Sequence, residues 1–495
     1  MGSMTITGKR REKPDRRMGE KRKHMTETPK PARAAGRPSA LHHTLGLRLV
    51  KLLNVALVAL PFAACWFGYY AARVAFSPSP CRSAGIIAML MALYASFCRI
   101  YDAFLVSFKR ISELFYGQMM SLLMADAFLF VILWFMSGGF PNLLPALVAL
   151  VCQLLLSAAW CRAAHRWYFA RFPGQRTGIV YDARRGMEAL FDEYGLTRRF
   201  DIRLTCSVEE CLAQRMRMLR DLEAVFLCGV HSHERNVILK FCVAQGITVY
   251  MIPRIGDVIM SGARRMHLFH LPMLRAGRYD PPIEYTVLKR LFDIVSSALI
   301  LVAASPVMLA VAIAVKACDG GPVFYRQTRL TKDGKRFRML KFRSMRTDAE
   351  GDGVARLSTG ERDGRVTPVG RFLRACRLDE LPQLFNILGG SMSVVGPRPE
   401  RPEIAAQYER EIPEFALRLQ AKAGLTGYAQ VYGKYNTLPY DKLQMDLMYI
   451  ANPSFREDLR IIFATVLVLF RKESTEGVAD GQQHATGHAG EGQSA

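Results

Sequence analysis

Four long apolar runs occupy the first third of the chain, near 52–75, 84–106, 114–137 and 143–163. Each supplies the roughly 20 apolar residues that a helix needs to cross a bilayer. The connections between them are short: SPSPCRS, SFKRIS and SGGFPN. The pattern predicts a membrane α-helical N-terminal bundle of four transmembrane helices. A buried soluble bundle is the alternative.

The period changes after 178. GIVYD (178–182), the run Phe200–Cys206, AVFLC (224–228) and ITVYMI (247–252) read as short buried strands. Helical patterns fall between them, near 184–194, 208–221 and 233–245. This alternation predicts a parallel, doubly wound α/β sheet. Such sheets cradle a pyrophosphate in the turn after the first strand, through a G-x-G-x-x-G fingerprint. Here that turn reads YDARRGM, with Gly186 alone. A structural or regulatory role is favoured over nucleotide binding. His231 and His233 flank a strand end and, without further ligands, read as solvated side chains rather than a metal site.

A fifth apolar run, Leu291–Ala317, carries Ser305-Pro306 near its middle. Lys289 and Arg290 precede it. Arg326 to Arg346 follows, with nine Lys/Arg and one acid, Asp333. Basic flanks stay cytoplasmic, so a straight span would put this second patch on the wrong side. Proline removes a helix hydrogen bond and clashes with the preceding turn. The reading is a re-entrant helix–break–helix, with Ser305 satisfying a carbonyl freed at the break; a kinked fifth span is the alternative. Leu459–Phe470 is too short to span and suits an interface or a core.

Composition sharpens the orientation. Half of the 495 residues are hydrophobic, yet the net charge is +24. Residues 1–51 hold fourteen Lys/Arg against four Asp/Glu. Lys109 and Arg110 lie between the second and third runs, and CRAAHRWYFARFPGQR follows the fourth. The positive-inside rule then places both termini in the cytoplasm. No cleavable signal precedes Leu52. The basic arm lacks interleaved aromatics and adjoins a membrane segment. Inner-leaflet anionic lipid is therefore the expected partner, and nucleic acid is not. The arm (1–46) and the Gly/Ala/Gln-rich tail (473–495) have the composition of disordered segments. The eleven cysteines show no Cys-x-x-Cys and no paired Cys/His spacing, which excludes a zinc site or disulfide framework.

The chemistry concentrates in RFLRACRLDELPQLFNILGGSMSVVGPRP, Arg371–Pro399. Asp379 and Glu380 are adjacent acids in basic and apolar surroundings. Neighbours on a helix point about 100° apart, so one can attack while the other holds a cation. Leu378, Leu381, Leu384 and Phe385 read as an apolar face that pins the pair. Pro382 suits a first helical turn, where anions are favoured. Arg371, Arg374 and Arg377 precede the pair. Lys341 and Arg343 lie in MLKFRSM, and Arg398 lies between Pro397 and Pro399. Arginine forks match phosphate oxygens. A carboxylate attacking phosphorus needs such charge, or a divalent cation, to offset repulsion. Magnesium suits carboxylate plus substrate phosphate. Taken singly, an Asp-Glu pair is more often a helix cap and a Pro-Arg-Pro loop a rigid turn.

In joint order these segments resemble the catalytic domain of the bacterial sugar transferases, the polyprenyl-phosphate hexose-1-phosphate transferases. The resemblance covers 285–472, through LKRLFDIVSSALILVAASPVMLAVAIAVK, GPVFYRQTRLTKDGKRFRMLKFRSM, RLDELPQLFNILGGSMSVVGPRPE and AGLTGYAQVYGKYN. It implies a monotopic α/β catalytic domain (284–472) with a re-entrant membrane helix. This would follow the four-helix region (47–168) and a Rossmann-like domain (175–280), as in the family's large members. It implies transfer of hexose-1-phosphate from a UDP-hexose to undecaprenyl phosphate, with release of UMP, at the bacterial inner membrane. Asp379 matches the nucleophile of a phosphosugar–aspartyl intermediate, and Glu380 the acid that binds Mg2+. Arg374 matches the arginine facing the polyprenyl phosphate. Pro397, Arg398 and Pro399 match the loop near the nucleotide sugar. Lys341 and Asp446 fall at further motif positions on that side. Ser305 and Pro306 match the break of the re-entrant helix, and a homodimer is compatible with the resemblance. Two other readings stand beside it: a non-catalytic membrane scaffold for polysaccharide assembly, and a glycosyltransferase releasing UDP. The sugar, glucose or galactose, is left open.

Overall fold

The computed structural model describes residues 40–74, 79–182, 186–346, 364–433 and 437–469. The arm up to residue 39 and the 473–495 tail, both expected to be disordered, lie outside the described residues. The chain divides into two compact units. One comprises Met1–Leu53, Val106–Ile111 and Arg162–Ile252; the other comprises Asn54–Leu105, Ser112–Cys161 and Pro253–Ala495.

The first four apolar runs are helical. Helix α1 (Ala40–Cys65) continues into a π-helical turn, Trp66–Tyr70. Helices α2 (Pro80–Ile100), α3 (Ile111–Ser137) and α4 (Leu143–Arg171) follow. The Ser79 side chain caps α2, with proline in its first turn. Then come β1 (Gln175–Tyr181), α5 (Met187–Glu193), β2 (Phe200–Ser207), α6 (Val208–Ala213), β3 (Ala224–Cys228), α7 (Ser232–Ala244) and β4 (Thr248–Met251). All four strands pair in parallel, in the order β2-β1-β3-β4. Both faces of this sheet are covered, as parallel sheets require. Val180, Val225 and Leu227 join one core, and Ile179, Phe200, Ala224 and Cys228 join the other. His231 pairs with Asp182 at 2.7 Å.

The second unit holds most of the bundle and everything after Ile252. In the bundle, Val58, Leu90, Tyr94, Phe97, Leu122 and Leu129 form a core. A buried polar trio sits within it: Tyr94 donates to Asn54 (2.8 Å), and Asn54 to Gln118 (3.4 Å). Helix α8 (Ile255–Ser261) precedes a hairpin of β5 (Arg264–Leu268) and β6 (Leu271–Arg275) that the sequence pattern did not foresee.

Helix α9 (Ile283–Asp319) contains the fifth apolar run. The expected break is not an interruption: helix continues on both sides of Ser305-Pro306. Proline supplies no N–H to the carbonyl four residues back, that of Val302. The Ser305 hydroxyl donates to that carbonyl at 2.8 Å. The local hydrogen-bond defect is thus filled in the manner expected for a break, while the helix persists. Among the described residues five helices are long and apolar enough to cross a membrane: His43–Tyr70, Pro80–Ile100, Ile111–Ser137, Leu143–Arg171 and Ile283–Cys318.

The remainder is mixed α/β. An antiparallel pair, β7 (Phe324–Leu330) and β8 (Arg336–Phe342), leads to α10 (Pro368–Ala375). Helix α11 (Gln383–Leu388), β9 (Ser393–Val395), α12 (Pro402–Glu411), β10 (Gly424–Thr426), α13 (Tyr428–Tyr432), α14 (Pro439–Ala451) and α15 (Phe455–Leu469) complete the described residues. The expected short apolar segment is α15. It packs in a core through buried Ile461, and Phe463 meets Phe97 edge-on with centroids 4.9 Å apart.

Candidate active site

Asp379 and Glu380 lie on a single 3-10 turn, Leu378–Glu380, just ahead of α11. Arg377 enters that turn at φ 53°, a left-handed conformation that is uncommon for a residue with a Cβ. Leu378 and Leu381 hold the turn down. They pack with Phe342 and Leu373 against Leu301, Met308, Val311 and Val315 of α9. Leu384 is buried beside them, but Phe385 is 47 % exposed and takes no part in the expected apolar face. Its position on α11 turns it away from the residues that pin the pair.

Lys341 reaches both acids. On β8, Met339 and Phe342 are buried while Lys341 faces the turn. Its Nζ lies 2.9 Å from Glu380 Oε1 and 3.9 Å from Asp379 Oδ2. Arg398 Nη2 lies 3.7 Å from the same Glu380 oxygen, and its Nη1 donates to Gln430 at 3.2 Å. Arg374, on α10, acts on Asp379 by charge. Its Nε donates to Ser344 Oγ at 2.9 Å. A tight seam orients it: the first turn of α10 lies so close to Ser344 that a Cβ on Gly370 would strike the Ser344 carbonyl.

These charges divide the two acids. Burial pushes the Asp379 carboxyl up, and Glu380 adds to that, against the pull of Lys341 and Arg374. Burial would raise Glu380 as well, but Lys341 and Arg398 outweigh it and bring it down to about 2. Adjacent acids with opposed shifts suit a division of roles.

The Pro397–Pro399 loop is gripped from behind by residues the sequence reading missed. Arg418 donates to the Arg398 carbonyl at 3.0 Å, and Arg329 to the Pro399 carbonyl at 3.1 Å. Asp446, expected on the nucleotide-sugar side, is fully buried. It holds Arg418 through bonds of 2.6 and 2.9 Å, so it touches the loop only through that arginine. Burial opposes the Arg418 charge, but Asp446 and Glu400 more than restore it. Gly396 lets β9 and β10 approach closely; a Cβ there would collide with the Lys422 carbonyl. Ser305 and Pro306 lie on α9 and are exposed, apart from this cluster.

Among the described residues no group of three or more His, Cys, Asp or Glu forms a cation cage. The two carboxyl groups nonetheless fit magnesium, which commonly takes one or two carboxylates and completes its shell with substrate phosphate and water. A cation at Glu380 would compete with Lys341 and Arg398 for the same oxygen.

Known proteins are similar in sequence to this chain. Residues 284–472 match the family described as "Bacterial sugar transferase". The chain is 38% identical over 231 residues to the UDP-N-acetylgalactosamine-undecaprenyl-phosphate N-acetylgalactosaminephosphotransferase of Aeromonas hydrophila, covering 46% of this chain and 53% of that one. It is 42% identical over 198 residues to the UDP-glucose:undecaprenyl-phosphate glucose-1-phosphate transferase of Caulobacter vibrioides, covering 39% of this chain and 73% of that one. It is 43% identical over 192 residues to the exopolysaccharide production protein PSS of Rhizobium leguminosarum, covering 37% and 94%. Matches to longer relatives such as the Aeromonas protein span about half of their length. The match covers 73% and 94% of the two shorter relatives, and with the family match over 284–472, which includes the acid pair and its basic neighbours, the chain belongs to the bacterial sugar transferase family.

Proposed function

We propose that this chain transfers hexose-1-phosphate from a UDP-hexose to undecaprenyl phosphate, initiating the repeat units of an exopolysaccharide, capsule or O-antigen. The observation that carries the reading is the Asp379–Glu380 turn, contacted at both acids by Lys341 and flanked by Arg374 and Arg398. A carboxylate nucleophile with cations on two sides can work between two phosphate-bearing substrates.

In the first step an Asp379 carboxylate oxygen attacks the phosphorus that bears the sugar. The bond from that phosphorus to the bridging oxygen breaks, and UMP leaves with the oxygen. In the second step a phosphate oxygen of undecaprenyl phosphate attacks the aspartyl phosphosugar. This regenerates the carboxylate and yields the polyprenyl-diphospho-sugar. Lys341 and Arg398 hold Glu380 ionised, and Arg398 faces the nucleotide. Arg374 faces the lipid phosphate. Asp446 and Arg418 act as positioning residues for the Arg398 loop. Magnesium held by Glu380 and the substrate's phosphate oxygens would neutralise diphosphate charge.

The proposed topology has four spans, with α9 dipping into the inner leaflet and returning. Both halves of α9 touch the same α/β domain, which supports this. Arg290 and Asp293 bond to it near the entry, and Met308, Val311 and Val315 pack on it beyond Pro306. A straight span would carry those halves apart by the roughly 30 Å bilayer core. Anionic lipid beneath the basic 326–346 segment fits the same arrangement.

The test is single-turnover chemistry with UDP-glucose and UDP-galactose. Wild type should release close to one UMP per chain without acceptor and carry a phosphohexose adduct on Asp379 by peptide mass spectrometry. Asp379→Asn should lose the adduct and turnover while keeping its thermal unfolding. Wild-type turnover in that variant, or UDP as the released nucleotide, overturns the mechanism.

A further inference from the structure

Strand β8 carries Lys341 to the acid pair. Strand β7 pairs with one edge of it, antiparallel, from Phe324 opposite Phe342 to Leu330 opposite Arg336. The other edge presents the Arg338 carbonyl and the Leu340 N–H, which point the same way because a strand repeats every second residue. Both are met by one side chain. Asn386 Nδ2 donates to the Arg338 carbonyl at 2.9 Å, and Asn386 Oδ1 accepts from the Leu340 N–H at 2.9 Å. An amide offers a donor and an acceptor side by side, and the two partners leave it one orientation. It does for β8 what a residue of a third strand would do.

Asn386 is itself fixed. It lies on α11, the helix that follows the acid pair, and its own carbonyl accepts from Ser391 Oγ at 3.0 Å and from the Ser391 N–H at 3.1 Å. Around it Leu384 and Ile387 of α11 share a buried cluster with Met339 of β8. That apolar contact holds strand and helix together but is non-directional, so it does not choose a register. The two amide bonds do. A slip of one residue would carry β8 about 3.3 Å along its axis and turn Lys341 to the opposite face. The contacts at stake are short: Lys341 Nζ stands 2.9 Å from Glu380 and 3.9 Å from Asp379.

We propose that Asn386 is a positioning residue for Lys341. Its amide sets the register of β8 against α11, and with it the place of the lysine charge beside the two carboxyl groups. The clamp exists without substrate; its effect on rate rests on the proposed phosphosugar transfer.

Two measurements on the full chain in nanodiscs test it. In the first, lysines are acetylated under limiting reagent and read by peptide mass spectrometry. Asn386→Ala should speed labelling of Lys341 several-fold and leave Lys289, which is paired with Asp458 at 3.1 Å, unchanged. Asn386→Asp keeps the acceptor for Leu340 and loses the donor to Arg338. It should lie between wild type and Asn386→Ala, and it stands alone if Asn386→Ala fails to fold. The second is single-turnover release of UMP from a UDP-hexose. Asn386→Ala should slow it about tenfold, yet by less than about twofold in a Lys341→Met chain, since groups that act through one another are not additive. A loss of fold alone would slow both chains alike and expose Lys289 as well. Unchanged labelling of Lys341 in the folded variants, or equal losses in the two backgrounds, overturns the proposal. A wild-type chain that releases no UMP would sink the transfer reading, while the labelling still decides the clamp.

Discussion

At the scale of residues, the acid pair depends on arginines that never touch it. Arg418 and Arg329 hold the carbonyls of the loop that carries Arg398 toward Glu380. Arg418 keeps its place through Asp446. Asp446→Asn removes the closer of the two acids that compensate the buried Arg418, leaving Glu400 at 3.5 Å, and should cost up to the roughly 3–5 kcal/mol of a broken buried pair. Thermal unfolding should show that loss. In whatever fraction stays folded, the KM for UDP-sugar should rise more than kcat falls, because the loop loosens while Asp379 and Lys341 stay. The acid pair and Arg398 were legible in the sequence because their motif is contiguous. Arg329 and Arg418 were not, since their partners lie 70 and 20 residues away and are backbone carbonyls, which no residue pattern marks.

At the scale of elements, α9 is long and apolar enough to cross a membrane and is also a structural anchor for the turn that carries the acid pair. Arg290 donates to the Ile387 and Leu388 carbonyls, at 2.7 and 2.8 Å, at the C-terminal end of α11. One turn on, the buried Asp293 accepts from the Val394 N–H at 3.0 Å. The i, i+3 spacing puts both on one face, and together they bracket the link from the acid pair to the Pro397–Pro399 loop. Arg290→Ala should cost about 2 kcal/mol, as loss of charge-assisted bonds does, and lower kcat. Arg290→Lys should recover only part, because an ammonium cannot present a fork to two carbonyls; urea unfolding and steady-state rates measure both. The apolar run of α9 was plain in the sequence, and so was the Ser305 bond. Its continuity was not: one proline with a hydroxyl beside it leaves little unpaired, and packing on both halves favours keeping the helix.

At the scale of the whole molecule, the period change after 178 foretold the parallel sheet, since buried strands separated by helical patterns have few other solutions. The β5–β6 hairpin was invisible. Its two-residue turn, Phe269-His270, has φ of 54° and 60°, where asparagine and glycine ordinarily announce such a turn. The proposed re-entrant path of α9 is open to a direct check. In a cysteine-free background, Glu284→Cys and Asp319→Cys should react with an impermeant maleimide from the same, cytoplasmic face of oriented vesicles. Labelling from opposite faces would make α9 a fifth span.

The leucines that fasten the 378–380 turn to α9 fix something beyond geometry. On the proposed topology and acceptor, they would set the altitude of the acid pair above the leaflet, since the turn could not rise without dragging α9 out of the lipid. Transfer to a lipid would then be confined to a plane, where crowding is counted per area and not per volume. Diluting the acceptor with inert lipid at constant bulk amount should slow transfer in proportion to mole fraction. Diluting the whole suspension with buffer, at saturating UDP-sugar, should leave turnover per chain unchanged.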